Sequence, residues 1–290
     1  MKSVFFLSLL MFFTNFVKSY NNPIRIRHTN VNNIGDIKIY EPFYNSEKKS
    51  QSVVIFFTGA SGRIPDTIYT NVLSHLASLN VTAYVYNNDY SKKDDCTKLI
   101  NHLKKEYSNV SLVGHSSGCM RSIANAKNNK NLNSLILFDP VNDRFIYEDK
   151  IQLVWDYFFN KDVLSVKKDN IKNCLFVKSE KSYIWRTSPF KTPFIPILDV
   201  KPEDLNIQNK KQLILEEFGH SDILDSDWGD IMHKTLDEGY EDRNCDKIDK
   251  YHEFIAKIIY LTINGGVEDI ELLISNDPVG SLIRHRLINH

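Results

Sequence analysis

The chain is 290 residues long, 42% of them hydrophobic, and carries 36 lysines and arginines against 36 aspartates and glutamates. That length and apolar content fill one large core, and no Pro/Gly/Ser-rich linker divides the chain, so a single domain is expected. The balanced charge excludes the basic footprint of a nucleic-acid binder and a tail drawn to anionic lipid.

At the start of the chain, Lys2 precedes an apolar run from Val4 to Phe13, which polar Thr14 and Asn15 end and Val17-Lys18-Ser19 follows. The run is well short of the roughly 20 residues that span a bilayer. Residues 1–19 therefore read as a secretory signal peptide cleaved near Ser19, leaving 20–290 as one secreted domain. Under oxidising conditions the four cysteines, Cys96, Cys119, Cys174 and Cys245, can form up to two disulfides in any of three full pairings. Cys119 is expected instead to be a buried, inert thiol. No Cys-x-x-Cys or His-x-x-x-His pair occurs, so no metal is expected, and nothing calls for a cofactor. Asn80-Val81-Thr82 and Asn109-Val110-Ser111 are glycosylation sequons, compatible with secretion.

From Ile34 onward, short β-rich runs alternate with helical patterns. This predicts an α/β chain, a mostly parallel twisted sheet with helices on both faces. Ile37–Tyr40 reads as an early edge strand and Val53–Phe57 as a strand buried on both sides, apolar without alternation. A helix over roughly Asp66–Ser78 follows, then a strand Val81–Tyr86, then Cys96–Tyr107 with Leu99, Ile100 and Leu103 at helical spacing. Val110–Val113 is the next strand. It leads into Gly114-His115-Ser116-Ser117-Gly118, a helix to about Lys127, and the strand Ser134–Phe138 that stops at Asp139-Pro140. Cys174–Val177 and Leu213–Leu215 are later strands, and Ile248–Ile263 is a long amphipathic closing helix. Two aromatic stretches break the alternation: Trp155–Phe159, and the proline-broken segment from Trp185 to Leu198 that contains Phe190 and Phe194. Proline excludes a core helix there. The span of about 181–210 is thus expected to be a small lid-like insertion, with Trp185, Phe190 and Phe194 lining a substrate pocket.

Gly114-His115-Ser116-Ser117-Gly118 matches G-x-S-x-G between an apolar strand and a helix, the context in which a serine is lifted clear of a sharp turn as a nucleophile. The glycines are needed because side chains at such a turn would collide. A serine hydroxyl requires a base and oxyanion donors. Ser117 N–H, at the helix start, is one expected donor. Ala60 in the loop Thr58-Gly59-Ala60-Ser61-Gly62 is the other. His115 should face away from the site and be structural rather than basic. The order serine, acid, histidine points to His220 in Phe218-Gly219-His220-Ser221-Asp222, after the strand Leu213–Leu215. His233, His252, His285 and His290 read as surface or packing residues in or beyond terminal helices. Two carboxylates at strand ends compete for the acid, Asp139 and Glu180, with Asp143, Asp199 and Asp222 farther from the pattern.

Four blocks carry a resemblance to a family: Phe56–Ala60, Ser74–Leu79, the Gly114–Gly118 elbow, and Asp139-Pro140-Val141 taken with Phe218–Asp225. Across roughly Val53 to Asp225 the chain resembles chlorophyllase and the related plasma-type platelet-activating-factor acetylhydrolases, members of the α/β-hydrolase superfamily. The resemblance implies that fold, a Ser116-His220-Asp139 triad and hydrolysis of carboxylic esters; lipid esters are suggested separately by the aromatic segment from Trp185 to Leu198. The chain departs from chlorophyllases in having Ser117, Cys119 and Thr58 where that family usually has Arg, Gly and His. The expected partners are then a small-molecule or lipid ester and transient contact with lipid surfaces, with no nucleic acid. The alternatives from other classes are a catalytically silent binding protein of the same fold, and a peptidase.

Overall fold

The computed structural model describes residues 23–31, 35–43, 51–62, 64–86, 96–141, 166, 170–182, 200–237, 245–267, 270, 271, 274 and 285–289. The expected signal peptide, the aromatic stretch 155–159, and Trp185, Phe190 and Phe194 lie outside the described residues. Among the described residues no helix is long and apolar enough to cross a membrane.

Among the described residues, nine strands form one sheet in the order β1-β2-β4-β3-β5-β6-β7-β8-β9. They are β1 Ile24–Val31, β2 Gly35–Pro42, β3 Ser52–Phe57, β4 Thr82–Tyr86, β5 Asn109–His115, β6 Leu132–Phe138, β7 Ile171–Ser179, β8 Asn209–Leu215 and β9 His285–Asn289. Neighbours from β4 to β8 run parallel. The pairings β1·β2, β2·β4 and β8·β9 are antiparallel. The fold is therefore α/β with a mostly parallel mixed sheet, as the alternation of patterns predicts.

β3 shows why the sheet is buried on both sides, since every one of its residues is inaccessible to solvent. Val54 and Phe56 point into one core, with Leu73 and Leu76 of helix α1 (Thr70–Ser78) and Ile255 and Ile259 of the closing helix. Val53, Ile55 and Phe57 point into the other. There they meet Leu99 and Leu103 of α2 (Thr97–Glu106) and Met120 and Ile123 of α3 (Gly118–Asn128). Each such side chain contributes about 1.5–3 kcal/mol on burial. Two further long helices among the described residues are α4, Ser226–Leu236, and α5, Cys245–Asn264.

The strand order also locates a crevice. From β3 the chain crosses through α1 to β4 on one side, then through α2 to β5 on the other, and from β5 it proceeds outward to β8. Ligands in open parallel sheets bind at the carboxyl ends of strands where this direction reverses. Those ends carry Thr58 with the short helical turn Gly59–Gly62, where the sequence suggests a loop, and Ser116.

Several expectations need correction. Ile37–Tyr40 is not at the edge, because β1 pairs outside it across Ile24↔Pro42 to Val31↔Gly35. His285 lies beyond the closing helix and opens β9, an antiparallel edge strand that the sequence pattern does not mark. The expected insertion is shorter at its end: residues 209 and 210 belong to β8, and Val200, Leu205 and Ile207 are buried in the second core. None of the four cysteines is paired in a disulfide, so none of the pairings that oxidising conditions allow is formed. Cys96, Cys119 and Cys174 instead pack as small apolar groups in that same core. Of the sequon residues, Asn80 is exposed in a turn, whereas Asn109 donates its side-chain amide to Ser52 Oγ at 3.2 Å.

Candidate active site

β5 runs one residue past Gly114 and turns at Ser116, whose backbone adopts φ 56°. L-residues reach this left-handed region rarely and at a cost of about 1–3 kcal/mol, and such strain concentrates at functional sites. Both flanking glycines are sterically required. A Cβ on Gly114 would fall 2.7 Å from Cys119 Cα, and one on Gly118 would fall 2.6 Å from the Thr58 carbonyl oxygen. The turn is pinned from three directions. Ser116 N–H donates to Phe138 O at 2.9 Å, and Ser116 O accepts from Cys119 N–H and Val141 N–H, each at 3.1 Å.

Five non-glycine residues among those described have positive φ. Asn80, Asn131 and Asp139, the last at 43°, belong to residue types that tolerate it. The other two are Ala60 at 47° and Ser116 at 56°, both, like Asp139, singled out by the sequence for chemistry. Gly59 lies close against the nucleophile, since a Cβ there would be 3.3 Å from Ser116 Cβ. Ala60, which follows Gly59, is exposed to solvent, and Ser117, the N-cap residue of α3, is buried.

Asp139 terminates β6. Its N–H donates to Val177 O at 2.8 Å, and its Oδ1 accepts Ser179 N–H at 2.7 Å. That leaves Oδ2 facing His220 Nδ1 at 3.8 Å, with both side chains almost wholly buried. The separation exceeds hydrogen-bond length, and His220 Nδ1 has no hydrogen-bond partner among the described residues. Catalytic contacts that are long in a substrate-free site tighten when charge develops. Glu180 is placed elsewhere: its carboxylate meets Arg286 of β9 at 3.1 Å, while its N–H donates to Leu215 O at 2.8 Å. The structure thus brings Asp139, and not Glu180, to His220. Burial, reinforced by the neighbouring His115 ring, holds the His220 imidazole well below its usual range, so it is neutral near pH 7.

Sequence reasoning missed the device that holds His220. Asp237, at the end of α4, accepts hydrogen bonds from His220 N–H, from Ser221 N–H at 3.1 Å, from the Ser221 hydroxyl, and from His233 Nδ1 at 3.0 Å. Gly219 is glycine because a Cβ there would lie 2.6 Å from Asp237 Oδ2, and closer still to Cγ. Burial pushes the Asp237 carboxyl up, opposed by the Ser221 hydroxyl. The rest of Phe218–Asp225 has equally local reasons. Asp222 Oδ2 accepts Gly219 N–H at 2.7 Å and closes the loop, and the Asp222 carbonyl accepts His252 Nε2–H at 2.9 Å. Asp225 reaches across to the N-terminus of α1, where its carboxylate accepts Thr70 N–H at 3.0 Å and Asn71 N–H at 3.1 Å. His233 and His252 are therefore packing residues of the base loop. Asp222, His233 and Asp237 bring ligand atoms within 4.8 Å of one another, a spacing open to a metal ion. Asp237 has both oxygens engaged by protein donors, so the role visible for the cluster is to clamp the loop. An aspartate in the acidic stretch Asp237–Asp242 carries no sequence signal of such burial.

No protein-family model matches the chain, and no curated protein matches it in sequence.

Proposed function

We propose that the chain is a secreted serine hydrolase of the α/β-hydrolase fold that cleaves carboxylic esters, with lipid esters as its substrate class. One observation carries the hydrolase reading. A serine strained into the left-handed region, at a glycine-enforced strand-to-helix turn, shares one end of the sheet with a buried aspartate–histidine pair. The strand–turn–helix context and the chain order Ser116, Asp139, His220 agree with that chemistry. The likeness of these motifs to chlorophyllase and the platelet-activating-factor acetylhydrolases points the same way. The lipid part rests on the sequence segment holding Trp185, Phe190 and Phe194, and secretion rests on residues 1–19.

In this mechanism Ser116 Oγ attacks the ester carbonyl carbon while His220 Nε2 takes its proton, and Asp139 orients and stabilises the imidazolium. Ala60 and Ser117 N–H groups hold the oxyanion, and each such donor supplies about 3 kcal/mol of transition-state stabilisation. The C–O bond breaks, the alcohol leaves with the proton from His220, and the acyl group stays on Ser116. Water, deprotonated by His220, then attacks the acyl-enzyme and releases the acid.

A chain-length series of p-nitrophenyl esters, run beside matched anilides, tests this. Wild type should hydrolyse esters in preference to amides, and Ser116→Ala should lower kcat by about 10³-fold or more. A folded wild type inert toward every ester, or a Ser116→Ala variant as active as wild type, overturns the reading.

A further inference from the structure

His115 stands beside the nucleophile in sequence, yet its buried ring lies between Tyr69 and His220. It meets Tyr69 edge-on at 5.7 Å between centroids and His220 at 4.7 Å with an interplanar angle of 35°. Three hydrogen bonds run through this stack. Gly59 N–H reaches Tyr69 Oη at 3.1 Å, Tyr69 Oη reaches His115 Nδ1 at 2.8 Å, and His115 Nε2 reaches the His220 carbonyl oxygen at 3.1 Å.

The two ends of this chain leave only one arrangement of protons. The His220 carbonyl can only accept, so His115 Nε2 carries a hydrogen. A neutral ring with its hydrogen on Nε2 offers Nδ1 as an acceptor, so the Tyr69 hydroxyl must donate to it. The Tyr69 oxygen is then free to accept Gly59 N–H. Every buried donor in the path has an acceptor, and no hydrogen is left over. Burial supports the same protonation: it holds His115 down at about 4 and pushes the Tyr69 hydroxyl up. The two ends matter because Gly59 immediately precedes Ala60 in the oxyanion loop, and the His220 carbonyl belongs to the base itself. Asp225 ties the base loop a second time to the segment that carries Tyr69, by holding the start of α1, one residue after Tyr69.

We propose that Tyr69 and His115 are positioning residues, a directed hydrogen-bond relay that sets the oxyanion loop and the base loop at a fixed distance from each other across Ser116. The proposal rests on the serine-hydrolase reading. Both side chains are buried and bonded to protein groups, so loss of the relay should lower kcat and leave KM nearly unchanged.

The experiment uses the full chain with Tyr69→Phe, His115→Leu and His115→Gln. It measures kcat and KM on a p-nitrophenyl ester, the fluorophosphonate labelling rate, and the imidazole 15N shifts of His115. In wild type His115 should be the neutral Nε2–H tautomer throughout about pH 5.5–8.5, a range that lies above its lowered pKa of about 4. Tyr69→Phe and His115→Leu should lower kcat by about 10- to 100-fold, with KM within about twofold. His115→Gln keeps an N–H near the old Nε2 position and should recover a large part of the His115→Leu loss. A folded Tyr69→Phe with wild-type kcat overturns the relay and spares the hydrolase. So does an Nδ1–H or titrating His115 in wild type, a result that stands even if the variants fail to fold. A wild type inert toward ester and probe overturns the hydrolase reading, and the positioning role with it.

Discussion

Gly219 offers a measure, one methyl group in size, of how tightly the base is held. An alanine Cβ there would sit 2.6 Å from Asp237 Oδ2 and closer to the carboxyl carbon, whereas ordinary contacts begin at 3.4 Å. Gly219 does not have positive φ, so the substitution tests space alone and not backbone strain. Asp237 cannot yield easily, because the same carboxylate holds His220 N–H, the Ser221 hydroxyl and His233. The loop must therefore retreat by about 1 Å, a displacement that costs on the order of 10²-fold in a reaction dependent on aligned groups. Overpacking itself destabilises by about 1–3 kcal/mol. Gly219→Ala should thus lose about 100-fold in kcat on a p-nitrophenyl ester, with a measurable drop in Tm, while its circular dichroism spectrum stays that of wild type. An alanine variant with wild-type kcat and Tm would refute the claim that the base loop is clamped against Asp237.

Three further outcomes are expected. Asp139→Asn should reduce kcat by roughly 10³–10⁴-fold, whereas Glu180→Gln, at a half-exposed carboxylate that meets Arg286, should stay within about twofold in the same assay. Chemical denaturation at a series of pH values should show full stability above about pH 6.5 and a decline as pH falls toward 4. The reason is that an unfolded histidine takes up a proton there that His115, pushed down to about 4, refuses. His115 alone accounts for about 3 kcal/mol of this loss, and a flat profile over that range contradicts its burial as a neutral ring. A thiol reagent should modify Cys245, which is exposed, in the native protein and all four cysteines after denaturation; fewer than four reactive thiols in the denatured, unreduced protein would reveal a disulfide.

The elements legible in the sequence were those whose side chains are committed to a core. β3 reads as buried because Val53–Phe57 faces two cores at once, and α2 reads as a helix because Leu99, Ile100 and Leu103 share its buried face. β1 and β9 were missed because edge strands bury little: Ile26 and Ile288 are exposed. The same applies to α4, whose Trp228 and Ile231 face solvent, so its apolar residues do not mark a buried stripe. Within the site, Ser116, Ala60 and His220 could be found because local turn chemistry demands small residues around them. Asp139 and Glu180 could not be separated by residue type, since each ends a strand. Only the spatial order β6-β7-β8 decides which carboxylate faces the histidine. Asp237 and Tyr69 act through backbone groups far away in the chain, and no local pattern announces such partners.

The most direct test of the account is to map the adduct of a fluorophosphonate probe on the folded, full-length protein by peptide mass spectrometry. A single phosphonylated residue, Ser116, lost in Ser116→Ala and strongly slowed in His220→Gln, is the predicted result. Absence of any adduct, or an adduct on a different serine that survives Ser116→Ala, would contradict it.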